Sequence, residues 1–181
     1  MPKILLVALL LLACKADQRV ENPYKKQAAG KTELVVSEAP PSTVQTRDGQ
    51  PFELAGAWQD QKIILVFYRG GWCPHCTKQL TQINESQGRF ARVGAKVIAI
   101  SADSGPDATA TKDKLALTFD VYIDPDLKTI SKWGVEDHGN NIARPATFVI
   151  QPGGTVTFRK VGETPQDWAT VDELFEAASR G

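Results

Sequence analysis

The chain has 181 residues, 42% of them hydrophobic, and its 21 Lys and Arg are balanced by 21 Asp and Glu. No basic surplus is left to hold nucleic acid or an anionic lipid surface, so both are excluded as the main partners. What remains is the composition of a near-neutral globular domain with three cysteines, Cys14, Cys73 and Cys76.

Met1-Pro2-Lys3 is a short basic start, and Ile4 to Leu12 is an unbroken apolar run. A membrane span takes about 20 apolar residues, so this run suits the core of a signal peptide instead. It ends in Leu11-Leu12-Ala13-Cys14, which resembles the lipobox of bacterial lipoproteins. That resemblance implies that residues 1–13 are removed and that the Cys14 sulfur carries diacylglycerol; plain secretion with Cys14 idle is the alternative. Lys15 rather than Asp after the cysteine resembles outer-membrane sorting. The expected location is the bacterial cell envelope, lipid-anchored and facing the periplasm. Loss of Lys3 leaves 20 basic against 21 acidic residues. Export also puts Cys73 and Cys76 in an oxidising compartment.

Residues 14–37 are polar, contain Pro23 and Gly30, and show no sustained periodicity. They read as a lipidated N-terminus and flexible tether, reaching roughly 25 Å on the coil estimate of about 5–6 Å times the square root of length. Residues 38–181 read as one domain. About 140 residues bury on the order of two-thirds of their unfolded surface, so this domain needs no disulfide staple. Residues 40–46 and 51–54 flank Arg47-Asp48-Gly49-Gln50, a hairpin signal. Lys62 to Tyr68 is the first central strand, and a helix is predicted from Pro74 to about Arg92. A parallel strand follows at 96–101, then a helix at 107–117, a short strand at 121–123 and a helical turn at 127–133 ended by Gly134. Strands at 146–150 and 155–161 around Pro152-Gly153-Gly154 read as a hairpin. A last helix is expected from Thr164-Pro165-Gln166-Asp167 to about Ser179. No internal repeat is apparent.

Cys73-Pro74-His75-Cys76 falls where the first strand hands over to the first helix. Free helix N–H groups and the macrodipole favour an anion there, and a thiolate is one. Two cysteines spaced by two residues lie about one turn apart, roughly 5–6 Å between Cβ atoms, which suits reversible disulfide formation. Cys73 is expected to face solvent and act as nucleophile, with Cys76 as the resolving thiol. A structural disulfide would close too short a loop to stabilise much. Structural zinc would need more ligands, and haem attachment needs His where Thr77 stands.

Val66-Phe67-Tyr68-Arg69-Gly70-Gly71-Trp72-Cys73-Pro74-His75-Cys76, together with Arg144-Pro145-Ala146-Thr147-Phe148-Val149-Ile150, resembles the thioredoxin superfamily. The longer match is to AhpC/TSA-like (redoxin, peroxiredoxin-like) proteins and TlpA-like membrane-anchored oxidoreductases, over about residues 38–178. The resemblance implies an α/β thioredoxin-like fold, a central mixed sheet flanked by helices. It implies Cys73 and Cys76 as the redox pair and Pro145 as a cis-proline facing them, with the Arg144 backbone open to an incoming peptide. Pro74 fits the first helical turn. Protonated His75 would lower the Cys73 pKa, Arg144 could help hold the thiolate, and Trp72 would wall the site for docking.

Two departures qualify the resemblance. The peroxiredoxin Pro-x-x-x-Thr/Ser-x-x-Cys pattern ending on Cys73 lands on Val66 and Gly70, and Pro145 displaces the family arginine. The buried aspartate of thioredoxins would fall at Phe67, leaving Asp124, Glu136 or water to take the Cys76 proton. The expected function is therefore an extracytoplasmic thiol–disulfide oxidoreductase acting on protein thiols and disulfides with a redox partner protein. A peroxiredoxin-like antioxidant peroxidase using Cys73 is the alternative. A Sco-like copper module with His138 as third ligand is the second alternative. No cofactor or metal is otherwise expected.

Overall fold

The sheet is built outward from β4 (Lys62–Phe67), whose six residues are all buried. A strand buried on both faces reads as an unbroken apolar run, and Ile63-Ile64-Leu65-Val66-Phe67 is such a run. The computed structural model describes residues 32–180. The stretch expected to be a signal peptide, Cys14 and most of the expected tether lie outside the described residues.

On one side β4 pairs in parallel with β5 (Ala95–Ser101), Leu65 opposite Ile98, and on the other antiparallel with β9 (Ala146–Ile150), Leu65 opposite Phe148. Beyond β5 lies parallel β6 (Asp120–Ile123), and beyond β9 lies antiparallel β10 (Thr155–Val161). The edges are closed by β1 (Thr32–Glu38) on β10 and by the hairpin of β2 (Thr43–Gln45) and β3 (Pro51–Glu53) on β6. The order is β1-β10-β9-β4-β5-β6-β2-β3, one mixed sheet of eight strands. Helices cover it, and the fold is thioredoxin-like, as expected.

Side-chain alternation splits the interior into two cores. Ile64, Val66 and Tyr68 point to the core shared with α1 (Pro74–Glu85), α2 (Gln87–Arg92) and α5 (Val171–Ser179), where Leu80, Phe90 and Leu174 pack. Ile63, Leu65 and Phe67 point the other way, to Trp58, Trp133 and Phe148. Trp133 anchors that side. Its ring lies 4.6 Å from Phe148 and 5.8 Å from Phe67, and its indole N–H donates to Ser42 Oγ at 3.1 Å.

Four expectations are corrected. Residues 32–37, read as the end of the tether, form most of β1, because β10 offers an open edge for them to pair with. The helix expected over 74–92 is two helices, broken at Ser86, whose φ of −100° and ψ of 6° leave the helical region. The last helix starts at Val171, not near Thr164, since Thr170 and Glu173 form a reciprocal capping box. Asp167 N–H instead donates to Thr164 O in a turn. Finally, two short elements have no counterpart among the predicted ones: β7 (Glu136–Asp137) pairs with β8 (Ile142–Ala143) in a separate two-stranded ladder. The helix at 105–114, α3, and that at 128–132, α4, fall close to expectation.

Candidate active site

The loop from β4 into α1 is shaped by its glycines. Gly70 has a φ of +153°, and a Cβ there would meet Trp72 Nε1 at 2.3 Å and Asp103 Oδ1 at 2.7 Å. A Cβ on Gly71 would fall 1.7 Å from Thr111 Oγ1 of α3. Only glycine lets this loop press so closely against the end of β5 and against α3. The loop then turns through a Cys73 N–H bond to Gly70 O, and Thr77 N–H closes the first helical turn on Cys73 O. Cys73 is the N-cap and Pro74 follows inside the first turn, where no N–H is needed.

Both cysteines are free thiols, and both are buried, 2% and 1% exposed. The expectation that Cys73 faces solvent is therefore corrected: its side chain joins the same core as Tyr68 and Leu80. Cys73 lies within hydrogen-bonding reach of Cys76. Burial pushes the Cys76 thiol up to about 12, with Cys73 adding to the effect and the backbone N–H groups of Arg69 and Gly70 opposing it. Cys76 is thus held as a thiol while Cys73 is beside it, yet faces N–H donors that can receive a thiolate.

The expected neighbours are placed unevenly. Trp72 is 62% exposed with the Arg69 guanidinium 5.2 Å from its ring centre, a wall of the site rather than a core aromatic. The His75 ring turns toward the 166–168 loop. Its Nε2 lies 2.9 Å from Gln166 Nε2, and Trp168 is 6.3 Å away. The Arg144–Pro145 bond is trans, because the described residues contain no cis peptide bond. The backbone there is also already paired, Arg144 N–H with Val135 O and Pro145 O with Gly162 N–H, both at 2.7 Å. The Arg144 guanidinium donates to Gly162 O at 2.7 and 3.2 Å. Neither the open backbone edge nor the thiolate-holding arginine expected at this position is present. The short β7–β8 ladder, which delivers Val135 to Arg144, is the reason.

Among the proposed proton acceptors, Asp124 caps α4 by accepting from Ile130 N–H at 2.7 Å, and Glu136 is held by Ser131 and His138. Neither reaches the cysteines. His138 Nδ1 lies 3.0 Å from Glu136 Oε1, and among the described residues no three His, Cys, Asp or Glu side chains come together to hold a metal. Phe67 points into the aromatic core, away from the sulfurs. The next residue, Tyr68, points toward them, as one step along a strand reverses the face.

The carboxyl at the site is Asp103, which sequence reasoning missed. Its Oδ2 accepts from Gly71 N–H at 3.0 Å and Ser101 Oγ at 3.1 Å. Burial raises its pKa above the ordinary carboxylate value against these two bonds. A signal is available: Ser101 ends β5 and Asp103 follows it, beside β4, and ligands and chemistry gather at carboxyl ends of strands in open α/β sheets.

A model of the AhpC/TSA family matches residues 35–159. The chain is 31% identical over 142 residues to the chloroplast peroxiredoxin Q of Sedum lineare, covering 78% of this chain and 73% of that protein. A peroxiredoxin Q of Populus jackii is 31% identical over 121 residues, 66% of this chain and 56% of that protein. In structure, the peroxidoxin BcpB of Mycobacterium tuberculosis superposes with a TM-score of 0.72 at 20% identity, over 80% of this chain and 96% of that one. Reduced Prx3 of Vibrio vulnificus gives 0.71 at 15% identity, over 80% and 95%. The chain belongs to the AhpC/TSA family and is a thiol-dependent redox enzyme of thioredoxin-like fold.

Proposed function

We propose that the protein is a thiol–disulfide oxidoreductase of the cell envelope, tethered by lipid at Cys14. The observation that carries the chemistry is the pair itself: two free thiols within hydrogen-bonding reach, one at the N-cap and one in the first turn of α1. The Cys73 thiolate attacks a disulfide of a partner protein and displaces one partner thiolate. Cys73 is then tied up in the mixed disulfide, and its contribution to holding Cys76 protonated is gone. Cys76, facing the N–H groups of Arg69 and Gly70, attacks Cys73 Sγ and releases the second partner thiolate. The dithiol is oxidised by two electrons and the partner disulfide reduced; run backward, the same steps oxidise a partner. Exposed Trp72 beside the pair offers an apolar contact for docking.

Replacing Cys73 by Ser is expected to abolish exchange, while Cys76→Ser traps the mixed disulfide with a partner. Exchange at the wild-type rate by the Cys73→Ser protein would sink the reading. The potential against glutathione assigns direction: near about −120 mV marks an oxidant and near about −270 mV a reductant. The envelope location rests on the sequence of residues 1–15 and is tested by labelling cells with radioactive palmitate and following Cys14→Ala.

A second reading, peroxide reduction, is favoured by the peroxiredoxin names of the relatives. The Pro-x-x-x-Thr/Ser-x-x-Cys pattern can also be framed to end on Cys76. Cys73 then stands at the hydroxyl position and Arg69 at the proline. Stopped-flow oxidation by hydrogen peroxide separates the readings. A rate no faster than a free thiol removes this one, whereas a fast rate that survives Cys73→Ser and is lost in Cys76→Ser establishes it.

A further inference from the structure

We propose that the thiol end of the sheet faces the bilayer, so that the partner disulfide is one carried by a membrane protein at the membrane surface. This rests on the dithiol and lipid-anchor reading above. The strand register fixes where the chain enters the domain. Thr32, the first residue of β1, pairs with Lys160 of β10, Lys160 pairs with Thr147 of β9, and Thr147 pairs with Val66 of β4. The next residue, Phe67, ends β4 and leads into the cysteine loop. Thr32 is therefore level with the carboxyl end of β4, three strand spacings away, or about 14 Å across the sheet.

The last helix ends on the other side of the molecule. Lys62 opens β4, and its Nζ donates to the carbonyl of Ala178 in the last turn of α5. The carboxyl end of α5 thus lies by the amino end of β4, about 20 Å from the thiol end on the rise of a six-residue strand. That difference is felt at the membrane because the expected link is short. The 17 residues 15–31 separate Cys14 from Thr32, and the coil estimate for them is about 20–25 Å. A domain of this size has a radius of gyration of about 15 Å. The end at which the chain enters is then the end held nearer the lipid.

The surface at that end suits the place. Among the described residues Trp72 is the one large hydrophobic side chain that is exposed, and it sits in the cysteine loop with the Arg69 guanidinium over its ring. An indole beside a long cationic side chain is the pairing that settles at headgroup level, ring toward the acyl chains and charge toward water. A disulfide carried in that layer meets Trp72 and the thiols together.

The lipidated protein is reduced and reconstituted into phosphatidylcholine vesicles that contain phosphatidylethanolamine bearing a pyridyl disulfide on its headgroup. The Cys73 thiolate attacks the lipid-borne sulfur and pyridine-2-thione leaves with the electron pair of the broken bond. Cys76 then bonds to Cys73 Sγ and releases the lipid thiolate, so one dithiol is oxidised for each lipid disulfide reduced. The comparison protein is the same chain from residue 14 with Cys14→Ala, held at equal density on nickel-chelating lipid by a C-terminal polyhistidine tag. The lipidated form is expected to release thione from the lipid at least about fivefold faster, through the higher effective concentration of its thiols at the surface. Both forms are expected to react within about twofold of each other with soluble 2,2′-dipyridyl disulfide. Headgroup nitroxide lipid is expected to quench tryptophan fluorescence in the lipidated form only, and Trp72→Phe to remove that quenching. Equal lipid-borne rates in the two forms, or a faster C-terminally held form, overturn the proposal. So does quenching that is unchanged in Trp72→Phe. Failure of both forms with the soluble disulfide overturns the dithiol reading instead. Absence of palmitate from Cys14 overturns the anchor and this proposal with it, and is read before any rate is measured.

Discussion

The two faces of the sheet are packed to different standards. The face of Trp58, Phe67, Trp133 and Phe148 is a cluster of aromatic rings at 4.6–6.3 Å, with the Trp133 indole N–H satisfied by Ser42. The face under α1 carries both cysteines, and also buried polar atoms without partners: the Tyr68 hydroxyl, the Gln79 amide and the Thr147 hydroxyl. Such atoms cost stability wherever they lie. The cysteine face thus carries hydroxyl and amide groups beside its two thiols.

The largest test falls on the aromatic face. Trp133→Ala is expected to cost about 3–5 kcal/mol in urea denaturation, while the folded fraction still exchanges disulfides at the wild-type rate. Loss of exchange in proportion to stability would show that the two faces are not separable. Gly70→Ala should do the reverse. Its Cβ collides with Trp72 and Asp103, so exchange is expected to fall more than about tenfold at a stability cost of about 1–3 kcal/mol. Thiol reactivity and unfolding of the same preparation check both halves.

Much of the fold is legible in the order of the residues. Ile63 to Phe67 marks a strand buried on both faces, Cys73-Pro74-His75-Cys76 marks the helix start, and the parallel pairing of β4 with β5 follows from the helices between them. The site's surroundings are harder to read, because each depends on contacts distant in sequence. Asp103 reaches Gly71 across 32 residues. Pro145 and Arg144 are governed by Val135 and Gly162, neither of which a local motif reveals. The tight approach of Gly70 to Asp103 and of Gly71 to Thr111 is likewise a tertiary fact. The face of Tyr68, by contrast, is readable from alternation alone: one step beyond Phe67, it puts a hydroxyl on the side of the thiols.

The cysteine face also has a signature in pH. Folding raises the Cys76 thiol from 9.0 to about 12 through burial and Cys73. Across that interval the folded state keeps a proton that the unfolded state has lost, so stability must fall as pH rises from about 9 toward about 12. Burial raises the Tyr68 phenol in the same direction. Chemical denaturation at stepped pH is expected to show this decline, with Cys76→Ala removing the cysteine part of the slope and leaving the tyrosine part. A Cys76→Ala protein with the full wild-type slope would break the assignment.

The smallest effects sharpen the contrast most directly, because they compare one hydroxyl on each face. Ser42→Ala takes an acceptor from the Trp133 indole N–H, and is expected to cost about 1 kcal/mol. Thr147 lies opposite Val66 in β4 and on the same face as Val149 and the cysteines, with its hydroxyl buried and unpartnered. Valine has the same shape without the polar atom. Thr147→Val is therefore expected to leave stability unchanged or to raise it by up to about 1 kcal/mol, the desolvation of the hydroxyl being recovered. Thermal and urea unfolding of the two variants side by side measures the difference in sign. If Thr147→Val instead costs as much as Ser42→Ala, its hydroxyl is paired in solution, for which a bound water is the available partner. The cysteine face would then be a hydrated path to the thiols rather than a set of unpaired groups.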